Sequence, residues 1–161
     1  MKFVLLFVVF AACSATPDAA PRTVPALPTR SGLVPMEVEG HTVFVALAAD
    51  EASRGRGLAD RTTLAADEGM LFVYPAAGQR SFWMLGCRIA LDIAFLDDQG
   101  GVLNVVTLPA PAPGLSSAQL PLAASLKPAR FVLELPAGTF ARWGLDAGAR
   151  CILPALPESV R

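Results

Sequence analysis

The stretch Ile89-Ala90-Leu91-Asp92-Ile93-Ala94-Phe95-Leu96 is apolar at every position but one, and Asp97-Asp98-Gln99-Gly100-Gly101 turns it back into Val102–Leu108. Two apolar runs joined by a Gly/Asp-rich turn read as a β-hairpin. Working outward, Arg130–Leu135 is another strand, and Ala137–Trp143 forms a short helix stopped by Gly144. Toward the N-terminus, Arg80–Met84 and Gly69–Tyr74 read as strands, the second ended by Pro75 and the Ala76-Ala77-Gly78 turn. Met36–Leu47 reads as a hairpin turning at Glu39-Gly40-His41, after which Asp50 can cap a helix over Glu51–Arg56. Arg150–Leu153 is a last short strand, and Pro109–Lys127, with four prolines, reads as a long surface loop. The expected fold is mainly β: a compact β-sandwich or barrel-like domain with one or two short helices.

Residues 34–154 are the expected domain, with 155–161 as a tail. Ahead of it stand Met1-Lys2, the apolar run Phe3–Phe10, and Ala11-Ala12-Cys13. That run is shorter than the ~20 residues of a bilayer-spanning helix and fits a secretory signal over residues 1–12. Small residues directly before Cys13 read as a lipobox. This predicts acylation at Cys13, an Ala/Pro-rich tether over 13–33, and a chain exported to the cell envelope. There it would be held by its lipid on a membrane facing the periplasm or the cell exterior.

Composition narrows the function. The 161 residues carry a net charge of −1, so nucleic acid is not an expected partner. A single histidine, His41, excludes a multi-histidine metal site. Neither a GxSxG elbow, nor HExxH, nor a nucleotide-binding glycine loop is present, and no cofactor is implied.

The chemistry-bearing candidates are polar residues in apolar strands. Asp92 shares a face with Ala90, Ala94 and Leu96, opposite Ile89, Leu91, Ile93 and Phe95, while Glu134 interrupts Arg130–Leu135 in the same way. A carboxylate there needs a partner or water. Arg54 and Arg61, beside Gly55 and Gly57, are candidate anion clamps, and an Arg–carboxylate contact beside a concave surface is expected. Phe82 and Trp83 face opposite ways, so one is expected in the core and the other at a surface, which of them being open, and Trp83 is a candidate for the ligand site. Cys87 and Cys151 are disulfide candidates outside the cytoplasm; two unpaired buried thiols are the alternative, with a catalytic thiol the third reading.

Arg54…Gly57-Leu58…Arg61, Gly69-Met70-Leu71-Phe72-Val73, Ser81-Phe82-Trp83-Met84, Leu91-Asp92-Ile93-Ala94-Phe95 and Leu133-Glu134-Leu135…Gly138 occur in order. The series resembles the Domain of Unknown Function 192 (DUF192) family from about Glu37 to Ile152. The resemblance implies a mainly β, sandwich-like fold and an exported protein, but supplies no mechanism. Ala59 stands where the family has Met, Gly86 where it has Asn, Ala90 where it has Pro, and Ala149 where it often has Asp.

The leading expectation is a non-catalytic envelope lipoprotein domain that binds a small ligand or a partner protein. The alternatives are a hydrolase or transferase using Asp92 and Glu134, with arginines holding an anionic substrate, and a purely structural interaction module.

Overall fold

A computed structural model describes residues 30–158. Cys13, the signal and residues 13–29 of the expected tether lie outside them. β1 (Val34–Val38) and β2 (His41–Ala48) form the first hairpin. Its two-residue turn, Glu39-Gly40, has φ of 46° and 81°, the twist that matches the strands it joins. His41 therefore opens β2 rather than lying in the turn, and its ring stacks on Trp143 at 4.3 Å.

β2 runs parallel to β3 (Glu68–Gly78), and a parallel pair needs a crossover. α1 (Glu51–Arg56) begins that crossover. Asp50 accepts from the Ser53 amide at 2.8 Å while the Ser53 hydroxyl serves the Asp50 backbone, a reciprocal cap. β3 continues past Pro75, where a strand end is expected, because the register breaks between Val73 and Gly78 and spares the proline a ladder position.

β4 (Ser81–Trp83), β5 (Leu91–Leu96), β6 (Val102–Leu108), β7 (Leu122–Ala124), β8 (Ala129–Pro136), α2 (Thr139–Trp143) and β9 (Cys151–Ile152) complete the domain. Seven strands make one sheet in the order β6-β5-β8-β3-β2-β1-β9, and β4 pairs with β7 in a separate ribbon. The large sheet curls. The Val102 amide donates to Ala149 O and that of Cys151 to Gly100 O, both at 2.8 Å, so its two edges meet at one end. The result is a half-closed barrel.

Both faces of the sheet are buried. Inside the curl lie Leu71, Val73, Leu96, Phe131 and Leu133, with Phe140 of α2 packed among them. On the outer face Phe72, Ile93, Phe95 and Val132 pack under Phe82 of the ribbon. All six residues of β5 are buried as a consequence.

Two expectations need correction. Residues 109–127 are not wholly loop: they hold a 3-10 turn at Ser117–Gln119 and also β7. β7 is three residues long and its partner, β4, is distant in sequence, so no local pattern marks it. Asn104 anchors it, donating to Ala124 O at 3.1 Å and accepting from the Leu126 amide at 3.0 Å. The last residues of the expected tether also touch the domain: Arg30 pairs with Asp67 at 2.6 Å and lies 4.1 Å from the Phe44 ring centre. Among the described residues no helix is long and apolar enough to cross a membrane.

Candidate functional site

Asp92 and Glu134 occur in similar sequence settings, yet β5–β8 pairing separates them. Asp92 lies opposite Leu135 and Glu134 opposite Ile93, so the carboxyls leave opposite faces of the sheet. The expectation that they work on one substrate is thereby corrected.

Asp92 is 1% exposed and fully engaged. Its Oδ1 accepts from Thr107 Oγ1 at 2.6 Å and from the Gly138 amide at 3.0 Å, and its Oδ2 from the Phe140 amide at 3.0 Å. The residue preceding α2 is Gly138, which has no side chain to cap the helix. Asp92 supplies that cap from a neighbouring strand. Its partners are two amides and a hydroxyl rather than the expected arginine.

Glu134 has the opposite surroundings. It is 6% exposed, and its Oε2 is buried with no hydrogen-bond partner. Burial pushes the carboxyl up to about 8, which leaves it protonated at neutral pH. It lies in the wall of a cleft of about 260 Å³, together with Arg54, Phe72, Tyr74, Trp83 and Cys87. β3 supplies Phe72 and Tyr74, the C-terminal turn of α1 supplies Arg54 and Arg56, and β4 supplies Trp83.

The cationic side of the cleft is fixed in place. Arg54 Nη1 donates to Ala49 O at 2.8 Å and to Val73 O at 3.0 Å, and its guanidinium stands 5.1 Å from the Tyr74 ring centre. Arg80 approaches the same ring at 3.7 Å. Burial raises the Tyr74 phenol above its ordinary value, against a lowering by Arg80 and Arg54. Trp83 is 53% exposed at the mouth.

Of the five ligand-site candidates, the structure brings Glu134, Arg54 and Trp83 together. Asp92 is on the other face, and Arg61 lines a neighbouring recess of about 370 Å³ that shares Arg56 and Gly57 with the cleft. Tyr74 was not among the candidates, though its alternation with Phe72 and Met70 in β3 is a signal that could have found it: it shares a face with Met70, which pairs with Glu134.

The disulfide expectation is also corrected. Cys87 and Cys151 are both free. Cys151 is buried in the core inside the curl, whereas Cys87 packs against the outer core, so the sheet lies between them. Burial, with Glu134 adding to it, pushes the Cys87 thiol up to about 11, and burial pushes Cys151 to about 12. Neither is an activated nucleophile. Among the described residues no cluster of three His, Cys, Asp or Glu side chains could hold a metal ion.

The family model DUF192, described as Uncharacterized ACR, matches residues 34–153. The chain belongs to this family. In this DUF192 member part of the motif series meets at one cleft: Arg54, Gly57, Leu58, Phe82, Trp83 and Glu134 line it, while Asp92 and Arg61 lie elsewhere. Two crystal structures are similar to this DUF192 chain. A protein of unknown function from Novosphingobium aromaticivorans is 30% identical over 86% of this chain and 99% of its own, with a TM-score of 0.66. A protein from Sinorhizobium meliloti, described as a proposed transcription regulator, is 31% identical over 70% of this chain and 82% of its own, with a TM-score of 0.61. No curated protein matches the sequence.

Proposed function

We propose that this DUF192 domain is an exported, lipid-anchored and non-catalytic binder of a small ligand held in the Glu134 cleft. The observation that carries the reading is the unpartnered buried Oε2 of Glu134. An unsatisfied buried polar atom costs ~1–3 kcal/mol, and an apolar residue would fill the position without that cost. A ligand that hydrogen-bonds the carboxyl removes the penalty. Export and anchoring rest on Phe3–Phe10 and Ala11-Ala12-Cys13. For the Sinorhizobium protein's description to extend to this chain, a cationic surface would be needed, and a net charge of −1 speaks against contact with a phosphate backbone.

Thermal shift against a small-molecule library tests the binding reading. Ligands should raise the melting temperature of the wild type and leave that of Glu134→Leu unmoved. Ligands that stabilise both equally would overturn it. Anchoring is tested by Cys13→Ala, which should abolish membrane association; a variant that still fractionates with membranes at unchanged mass refutes it.

A second reading, docking of an envelope protein, is favoured by Trp83 and Leu122. They pair across β4 and β7 and are 53% and 60% exposed. Leu122→Ser separates the readings, because it alters that face and leaves the Glu134 carboxyl in place.

A further inference from the structure

The cleft has a chemical polarity that narrows its occupant, an inference that rests on the binding reading above. We propose that it takes a flat ring bearing one anionic substituent, with the ring edge hydrogen-bonded to Glu134 and the anion facing Arg54 and Arg56. Four observations converge on this class.

The first is size. A volume of about 260 Å³ lies just below the ~300 Å³ at which small-molecule sites ordinarily begin, so the occupant has the size of a single substituted ring. The second is shape and surface. Phe72, Tyr74, Phe82 and Trp83 line the cleft, and aromatic walls favour a π-faced guest.

The third is the placement of charge. The charged groups on the wall, Arg54 and Arg56, stand at the α1 end, and the Glu134 carboxyl takes no hydrogen bond from either. Arg54 makes both of its hydrogen bonds through Nη1, which leaves Nη2 without an acceptor among the described residues. Arg56, in the last turn of α1, is exposed. A planar fork with free donors suits a carboxylate or a phosphate.

The fourth is the state of the carboxyl. Protonated at neutral pH, Glu134 presents an O–H donor and a C=O acceptor on one group, and its terminal torsion is soft enough for either oxygen to turn toward a guest. A ring edge with adjacent N–H and C=O, as in a lactam, complements both. An amine fits less well, since it would pass two arginines and then require the buried carboxyl to ionise.

Orotate, a pyrimidine carrying a lactam edge and a carboxylate, is the probe. Uracil keeps the edge without the anion, and benzoate keeps ring and anion without the edge. Calorimetric titration of the full chain at neutral pH should show orotate binding, with uracil and benzoate each about tenfold weaker or more. Glu134→Leu should lose orotate by a similar factor while its melting curve shows it folded. Arg56→Ala should weaken orotate and leave uracil unchanged. Orotate binding no tighter than benzoate, or indifferent to Glu134→Leu, overturns the proposal. Phenethylamine separates this failure from that of the parent reading. If the amine binds in a Glu134-dependent way and the ring anion does not, the ligand class is wrong and the cleft remains a binding site. If none of the four compounds binds, the ligand class is overturned, and the library screen on wild type and Glu134→Leu decides the parent reading.

Discussion

Asp92→Asn should destabilise the domain by roughly 3–5 kcal/mol, because the carboxyl it replaces joins three elements. Oδ1 serves Thr107 of β6 and the Gly138 amide, and Oδ2 serves the Phe140 amide of α2. An asparagine can keep its oxygen on the Oδ1 side. Its NH2 then points at the Phe140 N–H, and two donors face each other in a site 1% exposed. One hydrogen bond to a carboxylate is lost, about 1.5–3 kcal/mol, and a buried N–H is left unsatisfied, about 1–3 kcal/mol. Turning the amide over satisfies Phe140 but sets the NH2 against the Gly138 N–H, so a backbone donor is stranded in either orientation, while the exposed Thr107 hydroxyl can accept from the NH2. Urea unfolding followed by tryptophan fluorescence measures the loss. Trp143 lies in α2, stacked on His41 at an interplanar angle of 4°, so its emission reports whether the helix stays seated. A loss below about 1 kcal/mol would refute the capping role, as would weakened ligand binding at unchanged stability.

Glu134 gives a pH dependence of definite sign. Its value is raised from 4.5 to about 8, so the folded chain holds an extra proton between those limits. Stability is therefore highest below the lower value and falls as pH rises to the upper one, because the ionised carboxyl is the form that burial penalises. Glu134→Gln should flatten the slope, read as the difference in urea midpoint between about pH 5 and about pH 8; a wild-type midpoint that does not fall would count against the burial argument. In a Cys13→Ser background, two free thiols should titrate in oxidised, unfolded protein, and in the folded state Cys87 and Cys151 should react with a thiol reagent far more slowly than free cysteine. Fewer than two thiols would mean a bridge that the sheet forbids. Gly69→Ala should cost about 2–3 kcal/mol, because a Cβ there overlaps the Glu134 carbonyl oxygen and the Leu135 side chain; a melting temperature within a degree or so of wild type would refute the clash.

Much of the fold was legible because its signals are local. Each acts within a few residues: the Asp50 cap stands where it is expected, the first turn is Glu39-Gly40 within the expected Glu39-Gly40-His41, and β5 (Leu91–Leu96) falls within the expected Ile89–Leu96. What was not legible is non-local. β7 exists because β4 offers it an edge and Asn104 holds its end. The separation of Cys87 from Cys151 depends on which side of a curled sheet each strand presents. Of the site, Glu134, Arg54 and Trp83 were legible as polar or aromatic breaks in pattern, while their convergence depends on how β3, β4, β8 and α1 are brought together.

The two carboxylates show why pattern alone cannot assign a role. Each is an acid among apolar residues, and each is nearly inaccessible. The difference lies in what the chain places in front of them. α2 presents its unpaired N-terminal amides to Asp92, so the acid satisfies donors that would otherwise be orphaned. Glu134 meets aromatic rings, a thiol and a cleft, and its Oε2 satisfies nothing. Substitutions that remove polarity should then act in opposite directions. Asp92→Leu strands both backbone donors, Gly138 and Phe140, and should destabilise by more than Asp92→Asn, which strands one. Glu134→Leu removes an unpaired polar atom and should stabilise by about 1–2 kcal/mol. A residue whose replacement strengthens the fold has no structural reason to be there, which is the signature of a group kept for binding. If Glu134→Leu instead destabilises the domain as Asp92→Leu does, the carboxyl holds structure and the cleft loses its claim to be a site.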